Sequence, residues 1–170
     1  MKNLRIVVSS TLLLCILFLI GCGDDPDPKV LKNTNLLAGK KGESKSWIMT
    51  SFVIREGSSS EDIFVGVDAC LADNIFTFSN SDNQEFEQTE GSAKCDGADP
   101  SLIESGSWYL TSNGLTVTVI VFGNDVNNGD AALFVYFPVA WSVTELSGSA
   151  LVIEYVDDDD IVYTITFEEV

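Results

Sequence analysis

At 170 residues, with 26 acidic against 9 basic side chains and a formal charge of −17, the chain has the length of one domain plus attachments. It lacks the basic surface through which proteins hold nucleic acid or an anionic membrane. Histidine is absent from the sequence, which excludes a His-based triad or imidazole base and deprives a zinc or copper site of its usual nitrogen ligand. No cofactor is expected, and no nucleic-acid partner.

Residues 1–21 read as a signal peptide. Lys2 and Arg5 give a positive start, and Ile6–Ile20 is an apolar run broken only by Ser9, Ser10 and Thr11. That run is short of the ~20 apolar residues that span a bilayer. Leu19-Ile20-Gly21-Cys22 resembles a bacterial lipobox, which makes Cys22 the expected lipidation site; an ordinary secretory signal with a chance cysteine, or an uncleaved anchor, are the alternatives. Cleavage before Cys22 leaves 7 basic and 26 acidic residues, a charge of −19. The expected membrane contact is then through acyl chains, and the expected location is the bacterial cell envelope, as an outer-membrane lipoprotein.

Residues 22–35, CGDDPDPKVLKNTN, mix acid, proline and asparagine without periodicity and read as a flexible acidic tether. Asp24, Asp25 and Asp27 also resemble the export signal of some Gram-negative surface lipoproteins. The folded domain is expected over residues 36–170. Leu36–Ser44 is a lead-in with room for a helical turn, and Trp47–Arg55 is the first strand. Glu56–Asp62 reads as a polar loop, and Ile63–Val67 as either a strand or a short helical lid.

Period-2 alternation dominates from there. In Asn74–Ser79, Phe76 and Phe78 share a face with Asn74; Gln84–Thr89 points Phe86 opposite Glu85 and Glu87. Gly106–Thr111 places Trp108 and Leu110 inward, and Ser112-Asn113-Gly114 is a tight-turn signal. Leu115–Val121, Ala132–Phe137 (halted by Pro138), Trp141–Glu145, Leu151–Val156 and Ile161–Glu168 complete the set. Eight or nine short strands joined mostly by hairpin-length turns suit an all-β, antiparallel up-and-down barrel of about eight strands. A β-sandwich is the alternative.

Of four cysteines, Cys15 falls in the signal and Cys22 at the lipid site, so Cys70 and Cys95 remain. In an oxidising envelope these most simply form one disulfide; a free thiol pair or half of a metal site are the other readings. Asn124–Asp130 carries the oxygen ligands and glycine of a calcium loop, but position twelve from Asp125 is Tyr136 rather than a glutamate, so it is no EF-hand and reads as an Asx/Gly-rich turn. Paired acids such as Glu85/Glu87 and the run Asp157–Asp160 read as solvated charge, and no enzyme activity is expected.

Several of these features together resemble the lipocalin-like domain of bacterial lipoproteins. They are Trp47 opening the first strand, Cys70-Leu-Ala-Asp-Asn-Ile-Phe-Thr-Phe, Lys94-Cys95-Asp96 followed by Gly106-x-Trp108, and a tail of Ser142-Val-Thr-Glu-Leu-Ser, Leu151-Val-Ile-Glu-Tyr and Tyr163-Thr-Ile-Thr-Phe. The chain departs from that pattern at Lys45-Ser46, where a Gly-x-Trp opening is usual. The resemblance covers about residues 36–170 and implies a fold more than an activity.

A barrel of about eight strands either fills with side chains or holds one small ligand. The leading expectation is non-enzymatic binding of a small hydrophobic molecule in the interior. The candidate ligand residues are Met49, Phe76, Phe78, Phe86, Trp108, Tyr136, Trp141, Tyr155 and Tyr163. The rival is a structural or interaction protein that contacts a protein or glycan through the loops Glu56–Asp62 and Gly123–Asp130.

Overall fold

The computed structural model describes residues 28–170 apart from 96, 99–100, 112 and 122–131. The signal segment 1–21, Cys22 and the loop Gly123–Asp130 therefore lie outside the described residues.

Nine antiparallel strands form one sheet: β1 Ser44–Glu56, β2 Ser59–Asp62, β3 Ile75–Ser79, β4 Glu85–Thr89, β5 Leu102–Leu110, β6 Thr116–Val121, β7 Ala140–Leu146, β8 Ala150–Val156 and β9 Val162–Glu169. Their order is β2-β1-β3-β4-β5-β6-β7-β8-β9, and β1 also pairs with β9. That last pairing closes eight strands into an up-and-down barrel, with β2 as an extra strand on β1, and removes the edges that a sandwich would leave. The closing seam runs from Trp47↔Glu169 to Arg55↔Val162, and Lys45 Nζ meets Glu169 Oε1 across it at 2.9 Å.

β1 is long because it serves three partners. One edge follows β9; the other meets β3 over Ser44–Ile48 and β2 over Val53–Glu56. Between those two partners, Asp62 takes the place of a strand. Its Oδ1 accepts from Phe52 N at 3.1 Å and Phe64 N at 3.0 Å, and its Oδ2 from Ser51 Oγ at 2.8 Å. The Ser51 hydroxyl bond, aided by the two backbone N–H groups, holds this carboxyl below its ordinary range. The stretch expected as a polar loop, Glu56–Asp62, is thus a hairpin turning at Gly57 (φ +56°) and ending in β2. Ile63–Val67, expected as a strand or helical lid, consists of turns, with Gly66 at φ +85°.

Among the described residues, three short helices decorate the barrel: α1 Pro28–Ala38, α2 Ala69–Ala72 and α3 Leu133–Tyr136. α1 corrects the expectation of a tether through Asn35. It starts on a proline, which is favoured at the first helical position, and ends at Gly39 (φ +81°), whose N–H returns to Asn35 O at 3.1 Å. Only its last turn is sunk: Leu37 and Ala38 are fully buried, while Leu31 is exposed. One buried turn leaves almost no periodic trace in sequence, which is why the segment reads as linker. Trp47 Nε1 donates to Leu37 O at 2.9 Å, and Asn33 Nδ2 to Gly114 O at 2.7 Å, so α1 stoppers the barrel end that carries the β5–β6 turn.

α3 is the second correction. Ala132–Phe137 was expected as an inward-alternating strand; instead Leu133–Tyr136 is one helical turn. A short apolar run cannot be assigned to strand or helix by periodicity alone. Helical spacing puts Phe134 and Phe137 on one side, and that side enters the barrel. Phe134 packs edge-on against Phe76 and Phe86 (centroids 6.4 and 5.0 Å), and Phe137 against Phe52, Trp141 and Tyr163 (5.6, 6.0 and 5.6 Å). Rings at these separations attract through complementary edges and faces. The chain plugs its own barrel.

Candidate pocket at the open end of the barrel

The end opposite α1 is held by two fastenings. Cys70 of α2 is bonded to Cys95, with Cα atoms 5.1 Å apart across a separation of 25 residues, so the disulfide expected from the cysteine count is present. Beside it, Asp73 Oδ2 accepts from Ala93 N at 2.8 Å and Ser92 Oγ at 3.0 Å. The Ala93 amide is the chief reason the Asp73 carboxyl sits below its ordinary range. Gly91 allows this approach: a Cβ there would stand 2.2 Å from Asp73 O. Together they press α2 and the preceding turns onto the barrel rim.

Beneath that rim, between the turns, α2 and the α3 plug, lies a pocket of about 210 Å³. Met49 and Phe52 of β1 and Phe76 of β3 form one wall; Phe64, Val67 and Leu71 roof it. The plug supplies Leu133, Tyr136 and Phe137. Two polar side chains also line it, Asn74 and Gln88, both almost wholly buried. Gln88 Oε1 accepts from Leu133 N at 3.2 Å. Asn74 Oδ1, at a residue 4% exposed, accepts no hydrogen bond from any described group.

Gln88 stands opposite Glu104 across the β4–β5 ladder. Glu104 is 0% exposed and braces the plug: its Oε1 accepts from Phe134 N at 3.0 Å and its Oε2 from Val135 N at 3.1 Å. Burial pushes its carboxyl up to about 7, against the opposing pull of those N–H groups. Both oxygens are committed to the plug and the side chain does not reach solvent, so this displaced acid reads as a brace rather than a general acid.

The candidate ligand residues divide into three groups. Met49, Phe76 and, at its rim, Tyr136 line the pocket. Phe78, Phe86 and Trp108 belong to the filled part of the barrel, where Phe78 touches both Phe86 (5.2 Å) and Trp108 (6.0 Å). Trp141, Tyr155 and Tyr163 form a further aromatic group, Trp141–Tyr155 at 5.9 Å and Tyr155–Tyr163 at 6.0 Å, and none of the three lines the pocket. Tyr136 was expected inside a strand; on the outer side of a helical turn it is instead 59% exposed, at the pocket rim.

Sequence reasoning did not single out Gln88 or Glu104. The signal was present: Gln88 keeps the parity of inward Phe86, and Glu104 that of inward Trp108. Polar residues at core parity mark either a brace or a site. The acidic turn Asp157–Asp160 is internally satisfied at its first residue. Asp157 Oδ1 accepts from Asp159 N and Ile161 N, both at 2.9 Å, and Oδ2 from Tyr163 OH at 3.1 Å. Among the described residues no group of three acidic or cysteine side chains is gathered as a metal site.

No family model matches the sequence, and no curated protein matches it. Among solved structures, the chain is similar to the NMR structure of a protein from Burkholderia xenovorans, at 15% identity over 88% of this chain and 94% of that one, with a TM-score of 0.40. A likeness of that degree does not speak to function.

Proposed function

We propose that this chain is a lipid-anchored protein of the bacterial cell envelope, at the outer membrane, whose lipocalin-like barrel binds a small hydrophobic molecule without transforming it. The observation that carries the reading is the pocket at the open end: apolar on nearly every side and roofed by a segment that a disulfide ties down. Its volume of about 210 Å³ lies below the roughly 300–1,000 Å³ of sites for drug-sized ligands, so the ligand is small. The test is titration of the protein with a neutral fluorescent hydrophobic probe such as N-phenyl-1-naphthylamine. Saturable binding that weakens in Leu71→Trp, which fills the pocket from its roof, supports the proposal; no binding by the native protein refutes it.

The self-plugged interior favours one other reading, a solid barrel that serves as a surface scaffold and meets a protein or glycan through its loops. Recovery of membrane partners with and without the β1–β2 hairpin tests it. If the deletion leaves every partner in place, the hairpin is not the contact.

A further inference from the structure

We infer that the pocket selects uncharged apolar molecules carrying a hydroxyl group, and that Asn74 Oδ1 is the acceptor that reads it. This rests on the pocket being a binding site at all, and goes on to name the ligand's polar chemistry.

Three observations converge on it. First, Asn74 lines the pocket at 4% exposure and its Oδ1 accepts no hydrogen bond from a described group. Native proteins satisfy nearly all buried polar side-chain atoms, and an orphan at a pocket wall calls for a partner from outside the chain. The lone pairs of Oδ1 ask for a donor. Second, Gln88 already spends its carbonyl oxygen on Leu133 N, and the Tyr136 hydroxyl belongs to a side chain 59% exposed at the rim, which leaves Asn74 as the buried side-chain acceptor on offer. Third, the described lining holds no Lys or Arg, and directly across the ladder from Gln88 stands the buried carboxyl of Glu104. A ligand carboxylate would enter without a counter-charge, against a chain of net charge −17; desolvating an unpaired anion is prohibitive. The polar head is therefore neutral and a donor, and the tail is short enough for about 210 Å³.

The experiment compares three ligands of similar length on the full chain in lipid nanodiscs: 1-octanol, heptyl methyl ether and octanoate. Binding is read from the methyl resonances of Met49 and Leu71, with free ligand measured in the aqueous phase. The expected result is that the alcohol binds roughly tenfold more tightly than the ether, the discrimination one neutral hydrogen bond gives, and that octanoate binds weakest. Asn74→Leu, close in volume and without an acceptor, should make alcohol and ether equal. The wild-type comparison of alcohol with ether decides the matter even if that variant folds poorly. Equal binding of alcohol and ether by the native chain, or preference for octanoate, overturns the assignment of ligand class while leaving the pocket as a binding site. Failure of all three to move the Met49 and Leu71 signals overturns the pocket itself, and this inference with it.

Discussion

Glu104 Oε1 receives the backbone N–H of Phe134 at 3.0 Å, and this one bond joins the barrel wall to the segment that fills the barrel. Because the acceptor is a carboxyl wholly out of solvent, the joint responds to pH. Its folded-state pKa is raised from 4.5 to about 7. Below about pH 4.5 both folded and unfolded chains hold the proton; between there and about pH 7 only the folded chain does. Stability contributed by this group is thus fully present at the acid side, falls as pH rises through that window and levels off above it. The whole span is worth on the order of 3 kcal/mol. Glu104→Gln, which keeps shape and removes the titration, should flatten the melting temperature against pH between about 4.5 and 7. The depressed carboxyls of Asp62 and Asp73 act the opposite way and lower down, losing stability as pH drops below the ordinary aspartate range.

Phe134 is 2% exposed and meets the rings of Phe76 and Phe86. Phe134→Ala should cost about 3–5 kcal/mol, seen as an earlier chemical-denaturation midpoint with unchanged slope. The same truncation opens space beside the pocket, so the variant should take longer hydrophobic probes than the native protein does.

The Cys70–Cys95 bond constrains the unfolded chain as much as it holds the rim. Replacing both cysteines with serine should lower stability by roughly 3 kcal/mol in the chain-entropy account. Non-reducing peptide mapping of the native protein should recover the two cysteines in one linked fragment.

Gly91 carries no side chain because Asp73 occupies the space where one would go. Gly91→Ala cannot be absorbed by a side-chain rotation, since the nearest atom is a backbone oxygen. The loop over residues 90–95 must shift, and the variant should lose about 1–3 kcal/mol. Local hydrogen exchange at Ala93, whose amide is bonded to Asp73, should rise with it.

The proposed anchor has a simple check in fractionation. Cys22→Ser should move the protein from the membrane pellet to the soluble fraction; retention in membranes would contradict lipidation at that residue.

Much of the architecture was readable from alternation. Phe76 and Phe78 against Thr77, or Ile165 and Phe167 against Thr166, state which face is inside, and such strands in series with short turns imply the barrel. Asn74 was placed on the inward face by the same parity, so the polar floor of the pocket was legible, though its unpaired oxygen was not. What alternation could not carry was anything whose burial comes from a single turn. α1 hides only Leu37 and Ala38, and Leu133–Tyr136 has the same composition whether it continues a wall or fills the space within. Gln88 and Glu104 looked like ordinary polar strand residues because their partners, the amides of the plug, come from more than 25 residues along the chain. The pocket depends on that plug, so its outline could be drawn only after the plug's path was known.

The seam between β1 and β9 also governs time. It joins Trp47 to Glu169, nearly the two ends of the domain, so the barrel cannot close until the last strand has been made. A closing contact at such sequence distance slows folding, and a chain still being synthesised would hold its aromatic interior unsealed until β9 emerges. Deleting β9 should therefore leave not a smaller barrel but an open sheet with two exposed edges and a strong tendency to self-associate.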